Sequence, residues 1–160
     1  MKSDKIWAPW RIKYITGSKK DKGCLFCRVS RSSNDKKNLL IFRTDHSVCL
    51  LNLYPYNNGH LMVAPKKHTA SFDELTEKEA LDLMKSVNKA VKLLTKTLKA
   101  QGFNVGINMG RVGGAGIEKH LHIHIVPRWT GDTNFMPIIS NTKIISQSLD
   151  ALYDALKENL

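Results

Sequence analysis

The sequence predicts an α+β fold, an antiparallel sheet of about five strands with a long central helix and a C-terminal helix. Three observations point to it. Short apolar runs come in neighbouring pairs instead of alternating regularly with helices, residues 76–100 switch to helical spacing, and the last apolar run alternates strictly as HLHIHI. At 160 residues the chain is most simply one domain, residues 1–160, long enough to bury a core without staples.

Residues 1–22 read as an aromatic and basic N-terminal arm, ordered because Trp7 and Trp10 of WAPWR need apolar surface to cover them. CLFC follows, and then RSSNDKKN, a solvated loop. Residues 39–42 and 47–51 are apolar runs separated by RTDH, which suits an antiparallel hairpin. Residues 54–59 form a turn, and the next strand spans 60–64 and is closed by Pro65. In the helix, Met84, Val87, Val91, Leu94 and Leu98 recur at three and four, and TEKE at 76–79 has the spacing of a capping box. A strand over 103–109 leads through the glycine-rich loop GRVGGAG to the histidine strand at 120–129, read as half-buried. After Pro137 the spacing is helical again, with Ile145, Leu149, Leu152 and Leu156 on one face.

Hydrophobic residues at 42% and charged residues at 24% are ordinary globular values. No apolar run reaches the length of a membrane span and the N-terminus lacks a signal-peptide core, so a soluble, cytoplasmic protein with no membrane partner is expected. The net charge of +11 favours anionic ligands. Its lysines, among them Lys19, Lys20, Lys22, Lys36, Lys37, Lys66 and Lys67, are spread widely with little aromatic interleaving. That pattern reads as a solvated basic surface rather than a nucleic-acid groove. Three cysteines do not make a disulfide framework in a chain of this size, and Cys49 reads as a small core residue.

A single strand histidine is ordinarily satisfied by a carbonyl or water. Three at strand spacing must all be desolvated or paired on one face, while Leu121, Ile123 and Ile125 take the other. Such a row can bind metal, since imidazoles at i, i+2 and i+4 point the same way. The upstream loop points to phosphate instead: its glycines, Gly114 and Gly116 among them, let backbone N–H groups turn toward an anion. Imidazole attacks phosphorus when one nitrogen is unprotonated and the other gives its proton to a fixed acceptor, for which a strand carbonyl is suited. The middle residue, His122, is best placed for that, with neighbours to stabilise phosphate charge or protonate what leaves.

The row His120-Leu121-His122-Ile123-His124-Ile125-Val126 resembles, at every position, the signature of the histidine triad (HIT) family of nucleotide hydrolases and transferases. The resemblance runs from CLFC to the last strand and implies a HIT-like sheet paired into a homodimer. By similarity, His122 is the nucleophile that forms a nucleotidyl-histidine, His124 contacts phosphate and leaving group, and His60 of NNGH is a further active-site residue. Asn52 lies where the family places a side chain on the ribose hydroxyls, and Asn108 where it places an amide on the phosphate chain. Both asparagines also suit turns.

Cys24 and Cys27 have CxxC spacing, which from the residues alone allows zinc, a redox pair or neither. The redox reading is the weaker, because CLFC follows a basic loop rather than opening a helix after a strand. Part of the HIT family, with the related hexose-phosphate uridylyltransferases, places zinc between a CxxC, a His after a Pro and the first His of the signature. The resemblance thus implies a structural zinc on Cys24, Cys27, His68 and His120, and no organic cofactor. WAPWR, PRW and GDTNFM resemble the prokaryotic branch that includes diadenosine tetraphosphate phosphorylases. The resemblance implies cleavage of adenylated substrates such as dinucleoside polyphosphates through an adenylyl-His122, resolved by phosphate or by water. An adenosine phosphoramidase is an alternative. From a different class, so is a nucleic-acid-associated domain that processes adenylated ends, which salt-dependent oligonucleotide binding would mark.

Overall fold

The computed structural model describes residues 23–135, 139 and 145–160. Trp7 and Trp10 of the predicted arm, and Met136 and Pro137 near the tail, lie outside the described residues. In chain order the elements are α1 (Leu25–Arg31), β1 (Leu40–Arg43), β2 (Ser47–Leu51), β3 (Leu61–Pro65), α2 (Glu77–Leu98), β4 (Gly102–Gly106), β5 (Ile123–Arg128) and α3 (Leu149–Glu158). The five strands form one sheet in the order β1-β2-β3-β5-β4, and every neighbouring pair is antiparallel. Among the described residues no helix is long and apolar enough to cross a membrane.

Strand alternation sorts the core into two layers. Cys49, Leu51, Leu61, Val63, Ile123 and Ile125 face Leu83, Val87, Ala90 and Leu94 of α2 and Leu152 and Leu156 of α3. Val48, Leu50, Met62 and Ala64 face the other way, against Phe26 and Val29 of α1. With both faces covered, β2 and β3 are buried at every position, which is why their sequences are continuous apolar runs. Cys49 is fully buried, as a core residue should be.

Thr76 caps α2 with the full capping box: its hydroxyl accepts from Glu79 N–H, and Glu79 accepts from Thr76 N–H at 2.9 Å. The buried stripe of this helix differs from the expected one. Met84 is 58% exposed and Leu83 takes its place, because 83, 87, 90 and 94 hold a single face while 84 lies at its outer edge. The last helix starts at Leu149, capped by Ser148, so Ile145 precedes it.

Two further boundaries were not legible in the sequence. CLFC does open a helix, α1, whose seven residues are too few to show a periodic pattern. The histidine strand begins at Ile123 rather than at residue 120. Ahead of it, His120 N–H bonds to Ile117 O and Leu121 N–H to Thr69 O, so this backbone pairs with loops instead of with β3. The strand is also not half-exposed: the face that carries the histidines is buried too.

Candidate active site and metal-ligand cluster

His60 sits just ahead of β3, and two backbone bonds close the turn that presents it, Asn52 N–H to His60 O at 2.9 Å and His60 N–H to Asn57 O at 3.2 Å. Gly59 has φ +78°, and a Cβ there would come within 2.6 Å of Leu98 Cδ1. Only glycine lets the turn lie this close to α2. Asn57 Nδ2 ties the turn to Pro127 O at 3.0 Å and to Asp132 Oδ2 at 2.8 Å. Asp132 is in turn gripped by Arg128 Nε at 2.6 Å and Nη2 at 2.9 Å. The PRW and GD residues therefore brace the turn that presents His60.

A proton order follows from donors whose roles are fixed. Tyr56 N–H can only donate, and it lies 3.0 Å from His60 Nδ1, so that nitrogen accepts. His60 then carries its proton on Nε2 and donates it to His124 Nδ1 at 2.9 Å. His124 must hold its own proton on Nε2, which is buried and meets no partner among the described residues. The chain works only with neutral rings, and the electrostatics favour them. Burial first, then His124 and His122, pull His60 from 6.5 down to about 3. Burial and the neighbouring His122 lower His124 as well.

His122 has the opposite order. Its Nδ1 lies 2.8 Å from the His120 carbonyl, which only accepts, so Nδ1 carries a proton and, in the neutral ring, Nε2 is the nitrogen that presents a lone pair. The His122 and His124 rings meet edge to face with centroids 4.9 Å apart. A bare nitrogen thus stands beside an N–H with no acceptor. Such a pair can attack an electrophile and stabilise the oxygen that takes its charge.

Cys24, Cys27, His68 and His120 form a second, separate cluster whose ligand atoms all lie within 4.8 Å of one another. His120 Nδ1 is 3.1 Å from Cys24 Sγ and 3.3 Å from His68 Nδ1, and Cys27 Sγ is 3.2 Å from His68 Nδ1. Tetrahedral zinc with ordinary bond lengths needs N···N of about 3.3 Å and N···S of about 3.5 Å. The donor set fits that geometry. His120 donates Nε2–H to Pro65 O at 2.8 Å, which leaves Nδ1 as the ligand, the outer contact a metal-binding histidine usually makes. Burial, then Cys24, push the Cys27 thiol up, an effect a bound cation reverses.

Comparison with known proteins identifies the family. A family model described as the HIT domain matches residues 33–131. The chain belongs to the HIT family of nucleotide-processing enzymes. Among its HIT relatives is the AP-4-A phosphorylase of Mycobacterium tuberculosis, 37% identical over 91% of this chain and 78% of that one. The asymmetrical bis(5'-nucleosyl)-tetraphosphatase of Schizosaccharomyces pombe is 34% identical over 58% of this chain and 50% of its own. In structure, a zinc-bound histidine triad family protein from Mycobacterium smegmatis aligns with TM-score 0.68 at 22% identity, over 86% of this chain and 92% of that one.

The remaining predicted residues of this HIT chain lie beside His60 and in the loop after β4. Asn52 is buried beside His60, with Nδ2 3.3 Å from His60 Nδ1 and Oδ1 accepting from Tyr54 N–H. Gly106 pairs with His124 in the β4–β5 ladder, so the chain leaves β4 next to the triad and reaches Asn108 two residues later. Asn108 Nδ2 donates to Gly114 O at 3.4 Å, and Ala115 N–H to Gly110 O closes the loop. Gly114 has φ +86°, whereas Gly116 makes no close approach. Sequence reasoning missed Tyr56, whose N–H starts the proton chain and whose ring packs 4.7 Å from His60. It also missed Phe26, whose ring lies 5.0 Å from those of both His120 and His122. The available signal for Phe26 was its place inside CLFC.

Proposed function

We propose that the chain cleaves diadenosine polyphosphates through an adenylyl group on His122, which inorganic phosphate then removes. His122 Nε2 forms the bond to the α-phosphorus as the bond from phosphorus to the bridging oxygen breaks. With diadenosine tetraphosphate, ATP leaves. Phosphate then attacks the same phosphorus, His122 Nε2 departs with its lone pair restored, and ADP is released. The positive charge on the His122 ring in the intermediate is eased by its Nδ1–H bond to the His120 carbonyl. His124 Nε2–H hydrogen-bonds the phosphate or bridging oxygen, and His60 keeps that proton on the correct nitrogen. Asn52 reaches the ribose, and Asn108 with Gly114 and Gly116 meets the phosphate chain.

The observation that carries this reading is the pairing of a bare Nε2 on His122 with an unpartnered, buried Nε2–H on His124. The name of the Mycobacterium tuberculosis relative supports phosphate as the acceptor. Water in its place gives a hydrolase, a second reading that the name of the Schizosaccharomyces pombe relative favours. Incubation with diadenosine tetraphosphate, with and without phosphate, separates them. ADP plus ATP only with phosphate supports phosphorolysis, AMP plus ATP supports hydrolysis, and no turnover of any adenylated substrate contradicts both.

Zinc on Cys24, Cys27, His68 and His120 belongs to the same proposal. Four protein ligands leave no open position, so when bound it supplies structure rather than Lewis acidity. A homodimer is supported by β4, one of the two sheet edges, near which Val105 and Met109 are exposed. Cys24, Cys27 and Cys49 form no disulfide, which fits a cytoplasmic setting.

A further inference from the structure

His122 poses a mechanical problem. Its Nδ1–H is tied to the His120 carbonyl at 2.8 Å, while its Nε2 must stay free of hydrogen bonds to attack phosphorus. One hydrogen bond leaves a ring able to swing about that bond, so the ring must be aimed by packing. Two aromatic neighbours do this. His124 meets it edge-on at 4.9 Å and 70°, and is itself pinned by His60 at 2.9 Å. Phe26 meets it at 5.0 Å and 36°.

Phe26 is fully buried, and its ring also packs on His120 at 5.0 Å and 45°. It stands between Cys24 and Cys27 on the first turn of α1, a helix of 7 residues that cannot hold itself. That turn is fixed by the burial of Phe26 and Val29 and by the two cysteines, whose sulfurs reach His120 and His68 at 3.1 and 3.2 Å. The ring therefore bridges the cysteine corner and the row of histidines.

We propose that Phe26 is a positioning residue that aims the His122 ring, so that the geometry of the Cys24 and Cys27 corner is transmitted to the nucleophile. This rests on the reading of His122 as the nucleophile. Truncating the ring would let His122 swing away from the line of attack and loosen its Nδ1–H bond to the His120 carbonyl, while leaving the substrate's own contacts in place. The loss therefore falls on kcat.

The test uses the full chain with its metal content measured. Phe26→Leu keeps the site apolar and removes the flat ring, and Phe26→Met, more adaptable in packing, serves where the first variant does not fold. With diadenosine tetraphosphate, kcat is expected to fall about tenfold with KM held within about twofold, at unchanged metal content. The two ring ¹⁵N resonances of His122, separate in the wild type as one protonated and one bare nitrogen, should move toward each other. Unchanged His122 resonances overturn the assignment, as does a kcat loss that follows metal loss, or failure of both variants to fold. Should the wild type turn over no adenylated substrate, the proposed activity fails, and the His122 resonances alone decide the role of Phe26.

Discussion

Acid should unfold this protein through His60. Its ordinary value of 6.5 is pulled down to about 3 in the folded state by burial and by His124 and His122. The folded value lies below the unfolded one, so the unfolded chain binds the proton more readily. Stability from the neutral ring is complete above pH 6.5 and is lost as pH falls toward 3. Linkage between those two values makes the loss about 2 kcal/mol on going from about pH 7.5 to about pH 5. With a urea slope of about 2 kcal/mol/M, the midpoint falls by about 1 M. His60→Gln offers an oxygen to Tyr56 N–H and an N–H to His124 without titrating. Urea curves of the two proteins at both pH values isolate the His60 contribution, since His120 and His124, also lowered, remain in each. Equal acid sensitivity in wild type and His60→Gln would show that His60 does not carry it.

Other perturbations have equally definite outcomes. Gly59→Ala combines a left-handed backbone with a Cβ 2.6 Å from Leu98 Cδ1, and should cost about 2 to 5 kcal/mol by urea denaturation. A change below about 0.5 kcal/mol would show that the turn yields freely. Thr76→Ala removes the hydroxyl half of the capping box and should cost about 1 kcal/mol, read the same way. His120→Ala should lose bound zinc by elemental analysis and melt earlier, whereas His122→Ala should keep zinc and fold but not turn over. Full zinc in His120→Ala would mean that His120 is no ligand. Chelation of the metal from the wild type should lower Tm, because Cys24 and Cys27 then no longer tie α1 to His68 and His120.

Where the sequence was informative, a local pattern and a tertiary need coincided. The capping box at Thr76 and Glu79 is such a case, as is the continuous apolar run of β2, buried on both faces. Met84 was misplaced because two faces of α2 offer apolar residues at helical spacing, and only packing against the sheet selects Leu83. The row at His120, His122 and His124 was visible as alternation, whereas its division between a metal cluster and a phosphate site was expected from the family resemblance and not from spacing. His120 turns its Nδ1 to the cysteines because Pro65 O takes its other nitrogen, a contact between residues distant in the chain. The proton order from Tyr56 through His60 to His124 likewise depends on the β3–β5 register, in which Met62 faces His124. Register of that kind is a property of the folded sheet, and short-range spacing does not encode it.

The proposed chemistry turns on a covalent adenylyl group on His122. Rapid quenching of the wild-type protein with diadenosine tetraphosphate in the absence of phosphate, followed by mass spectrometry of peptides kept at alkaline pH, tests it most directly. An adenylyl adduct is expected on the peptide that carries His122, lost on addition of phosphate with release of ADP, and absent from His122→Ala. Steady turnover with no adduct, or an adduct on any other residue, would contradict it.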